Sequence, residues 1–213
     1  MSSTPLVAVR HRALPPALFT RLRRAVESLG TERLRSTYQT TFFWERGAPP
    51  CGVAERAIAR LFDSLPGASA AIGAEWWLSR MRTSNVKVDF HRDCDEVLFR
   101  TTGRVVHPLS TNVLFLNTCR GGALAVSARR PVEQNPAMAP SVLDFDLVEP
   151  APNRMASLGG RVTHGVLDSH NQLPFRWRRR ERSLRLALII NVWKRRPIGA
   201  LDFGPSGHYA KLR

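Results

Sequence analysis

The sequence predicts a mainly β protein with N-terminal helices, an α+β chain whose core is a sandwich or jelly-roll barrel. Three observations lead there. From Glu75 onward, short apolar or alternating segments are separated by turn residues, the spacing of antiparallel sandwiches rather than of βαβ units. Before that point, apolar residues recur twice at helical intervals. Two later runs, Val113-Leu114-Phe115-Leu116 and Leu186-Ala187-Leu188-Ile189-Ile190, are apolar at every position, as strands covered on both faces are. A chain of 213 residues with 43% hydrophobic residues suits one domain that buries its core without disulfides or a structural metal.

In chain order, residues 1–13 are basic and without clear period, an edge strand or a loose arm. Pro15-Pro16 opens a helix, because proline is tolerated in the first turn, and Leu18, Leu22, Val26 and Leu29 line its apolar face until Gly30 ends it. Ser36 to Trp44, rich in Thr, Tyr and Phe, reads as strand-like. After a loop at Ala48–Gly52, a second helix over about Val53 to Leu65 carries Ala57, Ile58, Leu61 and Phe62 on one face before Pro66-Gly67 breaks it. Strands are expected over 76–82, 85–93, 104–107, 110–117, 122–128, 141–148, 154–158, 161–167 and 184–193. Residues 169–182, with Pro174 and four arginines between 176 and 180, read as an exposed loop. The tail from Arg195, rich in Pro and Gly and carrying His208 as a surface histidine, reads as irregular chain. The expected division is therefore a helical support region over 1–75, a β core over 76–194 and a tail over 195–213.

No apolar run approaches the ~18–20 residues that cross a bilayer, and Met1–Arg12 lacks the apolar core of a signal peptide. Cys51, Cys94 and Cys119 are odd in number and show no Cys-x-x-Cys spacing, which disfavours a disulfide framework and suits a cytoplasmic protein. The formal charge of +15 suits anionic partners. Of the 32 basic residues 29 are arginines spread along the whole chain, so a solvated basic surface explains the charge better than nucleic-acid binding, with an anionic substrate or partner between the two.

Chemistry concentrates at Phe90-His91-Arg92-Asp93-Cys94-Asp95-Glu96, after the alternating run Val86 to Phe90. On a strand, residues i and i+2 project from one face, so His91 and Asp93 can reach one cation, while Cys94 points away. Asp95 and Asp89 share the His91 face, with Asp95 the rival carboxylate. His164, 73 residues after His91, is the candidate third ligand. Two imidazoles and one carboxylate on one face of an octahedral cation leave three positions open, the arrangement of non-haem Fe(II) oxygenases.

The order of these pieces resembles the 2-oxoglutarate- and Fe(II)-dependent oxygenase superfamily over residues 76–194. The resemblance rests on His91 to Glu96, then His107-Pro108, the strand Ser110–Asn117, Gly121-Gly122, Pro152-Asn153-Arg154, and Gly160 to Val166. The wording is close to a His-x-Asp-x-Asp-Glu subgroup. The resemblance implies a double-stranded β-helix core, jelly-roll and cupin-like. It also implies Fe(II) held by His91, Asp93 and His164, with 2-oxoglutarate and O2 as cosubstrates. The expected activity is a dioxygenase hydroxylating a small molecule or an amino-acid or peptide substrate, with succinate and carbon dioxide released. Desaturation and ring formation are related outcomes. Arg185, opening the last core strand, takes the place of the basic residue that holds the far carboxylate of 2-oxoglutarate. A guanidinium grips such a group through two parallel hydrogen bonds. The 21-residue interval after His164 leaves Arg182 as a substitute. Asn112 is either a donor to the other carboxylate or a hydrogen-bonded polar residue inside the barrel. Two alternatives remain. Nucleic-acid-modifying enzymes of this fold carry a second arginine six positions after the first, where this chain has Asn191. A cupin-like metal protein that does not use 2-oxoglutarate would lack a buried cation opposite the metal.

Overall fold

The computed structural model describes residues 6–30, 40–83, 90–127, 145–168 and 184–213. Its elements are β1 (Val7–Arg10), α1 (Pro16–Ser28), β2 (Phe42–Glu45), α2 (Val53–Leu61), β3 (Gly73–Arg82), α3 (Glu96–Thr102), β4 (Ser110–Phe115), β5 (Leu124–Ser127), β6 (Asp146–Val148), β7 (Arg154–Gly159), β8 (Thr163–Val166) and β9 (Leu184–Trp193). They form a six-stranded sheet in the order β1-β7-β4-β9-β3-β2 and a three-stranded sheet in the order β6-β5-β8. Every ladder is antiparallel. This mostly β, antiparallel architecture with few helices is of jelly-roll type.

The all-apolar β9 is explained by two different coverings. Leu186, Leu188, Ile190 and Val192 face the helices, packing with Leu22, Val26, Ile58 and Leu61. Ala187 and Ile189 face the other way, into a second cluster that joins Val113, Phe115, Ala156 and Leu158 of the large sheet to Leu124, Val126 and Val148 of the small one. The interior between the sheets is therefore distinct from the helix-covered face. Leu22 and Ile58 are completely buried, and truncating either to alanine costs about 2–5 kcal/mol.

The N-terminal region supplies more than helical support, because β1 and β2 are the two outer strands of the large sheet. Asn153 holds the entry to α1 in place. At φ 60° its side chain accepts from the Leu14 N–H and donates to the Leu14 carbonyl, both at 2.8 Å. The tail is irregular and still part of the core. Phe203 and Leu212 are buried, and Leu201 forms a parallel bridge with Phe42. His208 is half-buried, its ring centroid 5.9 Å from that of Phe42.

After Asp93 the structure adds one element and corrects another. Glu96–Thr102 is a helix, α3, capped by the Asp95 side chain, which accepts from the Leu98 N–H at 3.1 Å. Gly103 closes it at φ 72°, a conformation in which Cβ is unwelcome. Residues 104–107 are not a strand. They run without regular structure, and the Val106 carbonyl accepts from the Asp95 N–H at 2.9 Å. Most of the expected strand 85–93, the loop 169–182, Asp89 and Arg182 lie outside the described residues.

Candidate metal centre

His91 and His164, far apart along the chain, meet through backbone pairing. Each N–H donates to the other's carbonyl, at 3.0 and 2.9 Å, which makes them an antiparallel bridge alongside β8. Directly opposed residues project from the same face, and the two imidazole centroids lie 4.6 Å apart. Asp93, two residues beyond His91, joins them. Its Oδ1 is 3.2 Å from His91 Nε2 and its Oδ2 is 3.7 Å from His164 Nε2. One ligand atom from each residue lies within 4.8 Å of the other two, so this group could hold a metal ion.

The protonation states suit that use. Burial lowers the His164 pKa, against the opposing pull of Asp93, so the ring is neutral. Its Nδ1–H donates to the Val162 carbonyl at 3.0 Å, which leaves the Nε2 lone pair facing Asp93. Burial alone would push the Asp93 carboxyl up. The hydrogen bond with His91, the charge either imidazole carries when protonated and the Thr111 hydroxyl outweigh it and hold the group below the usual carboxylate range. The His91 side chain is 42% exposed whereas that of His164 is 8%, so the site opens on the His91 side.

Asp95, the rival carboxylate, serves structure instead. Besides capping α3, its Oδ2 accepts from Arg195 Nη2 at 2.8 Å and from the Ile198 N–H at 3.1 Å. The Cys94 thiol is turned toward Glu96, 3.7 Å from its Oε1. Burial and the nearby acids push that thiol up to about 11, a poor starting point for a thiolate ligand.

Arg185, at the other end of β9, has 1% of its surface exposed. Its Nε donates to the Gly122 carbonyl at 2.9 Å, its Nη1 lies 3.4 Å from Ser79 Oγ, and its guanidinium sits 5.0 Å from the Phe115 ring centroid. Among the described residues it forms no ion pair. Burial draws its pKa down to about 10. Among the described residues the buried Thr83 hydroxyl has no hydrogen-bond partner. A Cβ on Gly122, which adopts φ +73°, would meet Thr83 Cγ2 at 2.8 Å and Arg185 Cδ at 3.1 Å. A cation with no ion-pair partner and a hydroxyl with no hydrogen-bond partner among the described residues, both close to one glycine, fit a carboxylate ligand.

Asn112 is not brought to this interior. It neighbours Thr111, whose hydroxyl reaches Asp93 at 2.7 Å, and alternation along β4 turns Asn112 to the helix-covered face. There its amide donates to Ser110 Oγ and the Ile190 carbonyl, both at 3.0 Å. Sequence reasoning missed three residues near Asp93. His107 Nδ1–H donates to the Asp93 carbonyl at 2.7 Å. Thr111 holds the carboxylate. Glu75, opposite Asn191 in the β3–β9 register, accepts from Trp193 Nε1 at 3.1 Å. Burial, with a contribution from the Asp93 charge, raises Glu75 to about 7. It lies one residue before the expected strand 76–82, and the structure places it inside β3.

No family model and no curated protein matches the sequence. Solved structures do resemble this one. A Pseudomonas putida prolyl-4-hydroxylase aligns with a TM-score of 0.52 and 18% identity, covering 90% of this chain and 94% of its own. A prolyl 4-hydroxylase from Phytophthora capsici aligns with a TM-score of 0.52 and 15% identity, over 92% of this chain and 60% of its own. AviO1 from Streptomyces viridochromogenes Tue57 aligns with a TM-score of 0.52 and 17% identity, over 88% and 89%. At these identities the likeness is one of fold, and the chain has the same fold as these three structures.

Proposed function

We propose that this protein is an Fe(II)- and 2-oxoglutarate-dependent dioxygenase of the superfamily its motifs resemble, built on a double-stranded β-helix core. Its substrate would be a small molecule or an amino-acid or peptide side chain, hydroxylated at an unactivated C–H with release of succinate and carbon dioxide. His91, Asp93 and His164 would hold the metal, and Arg185 would clamp the far carboxylate of 2-oxoglutarate, with the Thr83 hydroxyl beside it. The observation that carries the reading is the buried Arg185 guanidinium, without an ion-pair partner among the described residues, on the same face of β9 as Asn191, which touches the metal-ligand candidate Asp93. That cation also weighs against a cupin-like protein that ignores 2-oxoglutarate. When bound, the iron would activate O2, the oxidant, with 2-oxoglutarate supplying two of the electrons as it is decarboxylated. The chain's own share is to keep His164 neutral, hold Asp93 ionised and shield the cosubstrate's charge from water in a site that opens beside His91. The structural likeness to two prolyl 4-hydroxylases supports this class. A cytoplasmic location fits the three free cysteines, and no helix among the described residues is long and apolar enough to cross a membrane.

The test is anaerobic titration with Fe(II) and 2-oxoglutarate, followed on the weak visible metal-to-ligand absorption. The band is expected in the wild type and absent in Arg185→Ala with iron still bound. An unchanged band in that variant would move the clamp elsewhere. His164→Ala is expected to abolish succinate formation, and persistent turnover would remove His164 from the ligand set.

A further inference from the structure

Asp93 offers two carboxylate oxygens, and the protein treats them differently. Thr111 Oγ1 donates to Oδ2 at 2.7 Å and Asn191 Nδ2 donates to the same oxygen at 3.1 Å. The two donors come from adjacent strands and stand opposite each other in the β4–β9 register. Thr111 and Asn191 are 1% and 2% exposed, so water cannot replace either bond cheaply. A carboxylate oxygen has two lone pairs in its plane, enough for the two donors that Oδ2 receives. Oδ1, free of both donors, faces His91 Nε2 at 3.2 Å, whereas Oδ2 is 3.7 Å from the nearer imidazole nitrogen, His164 Nε2.

We infer that Thr111 and Asn191 are a positioning pair that locks the Asp93 carboxylate through Oδ2 and leaves Oδ1 as the one oxygen presented to the metal. The inference rests on the reading of His91, Asp93 and His164 as metal ligands. The lock blocks rotation about the Cβ–Cγ bond and keeps the carboxylate from swinging to grip the ion with both oxygens. Positions across the metal thus stay open for other ligands. It also anchors Asp93, which belongs to the segment beside the small sheet, to the middle of the large sheet. The ligand set is thereby held across the gap between the two layers.

Cobalt(II), whose visible d–d bands report coordination, tests this without turnover. It is titrated into the wild type, Thr111→Val, Asn191→Leu and Thr111→Ser, with thermal unfolding of each metal-free protein as the folding control. Loss of an outer hydrogen bond of this sort weakens metal binding roughly 10-fold or more, and that is expected of both Thr111→Val and Asn191→Leu, with altered bands. Thr111→Ser keeps the hydroxyl and should bind like the wild type. Because both donors act on one oxygen, the double variant should lose less than the product of the single losses. Wild-type affinity and bands in both single variants, or a Thr111→Ser as weak as Thr111→Val, overturn the inference. A wild type that binds no Co(II) is a different failure, which removes the metal reading and this pair with it. Should one variant not fold, the other carries the test.

Discussion

Replacing Arg185 with methionine separates what the guanidinium does for the ligand from what it does for the fold. Burial lowers its pKa from 12.5 to about 10, and at 1.36 kcal/mol per unit this amounts to about 3 kcal/mol of unfavourable desolvation in the ligand-free protein. Methionine removes that penalty and fills most of the space with a flexible apolar chain. It also forfeits the hydrogen bond to the Gly122 carbonyl, about 1 kcal/mol, and the cation over Phe115, about 1 kcal/mol. The balance is a ligand-free variant as stable as the wild type or up to about 1 kcal/mol more so, a melting temperature higher by roughly 0–4 °C. With Co(II) present, 2-oxoglutarate at a hundredfold excess over its Kd should add about 2.7 kcal/mol to the wild type and nothing to the variant. Differential scanning calorimetry with and without 2-oxoglutarate reads both effects. A variant destabilised by more than about 2 kcal/mol, or one that 2-oxoglutarate still stabilises, would show that Arg185 is a structural cation and refute the reasoning.

Two further outcomes follow from buried carboxylates. Glu75, raised from 4.5 to about 7, holds its proton more tightly in the fold than in the unfolded chain. Its contribution is full below pH 4.5 and is lost as pH rises through about 7, up to about 3 kcal/mol; Glu75→Gln should flatten that window in urea titrations, and an unchanged pH profile would show that Glu75 ionises freely. Asp95→Ala removes both the cap of α3 and the acceptor for Arg195 and Ile198, so a loss of about 2–4 kcal/mol is expected. Chemical denaturation measures it, and a loss below about 0.5 kcal/mol would leave Asp95 without the anchoring role.

The local parts of the candidate site were legible in the sequence. His91 and Asp93 share a face because side chains alternate along extended chain, and the helices at α1 and α2 follow from apolar spacing and their Pro and Gly boundaries. Helix α3 escaped notice because Asp95 and Glu96 read as part of a metal motif, although an Asp-Glu pair with Gly103 seven residues later is also a cap and a stop. The two readings of Asn112 stayed open for a related reason. In β4, where both faces are buried, alternation separates Thr111 from Asn112 without saying which of them faces the interior.

By itself the sequence determined a mainly β chain, several of its strand-forming segments, a His-x-Asp pair and a distant histidine able to complete it. Each of these depends on neighbours within a few residues. Only the tertiary structure decided that His164 pairs with His91, that Thr111 and Asn191 both reach the same oxygen of Asp93, that Asp95 ties down the tail, and that Arg185 lies buried without an acid partner among the described residues. Those facts depend on strand register and on which layer covers each face. Register and covering are set by the burial of apolar surface over the whole chain, and no local pattern encodes them.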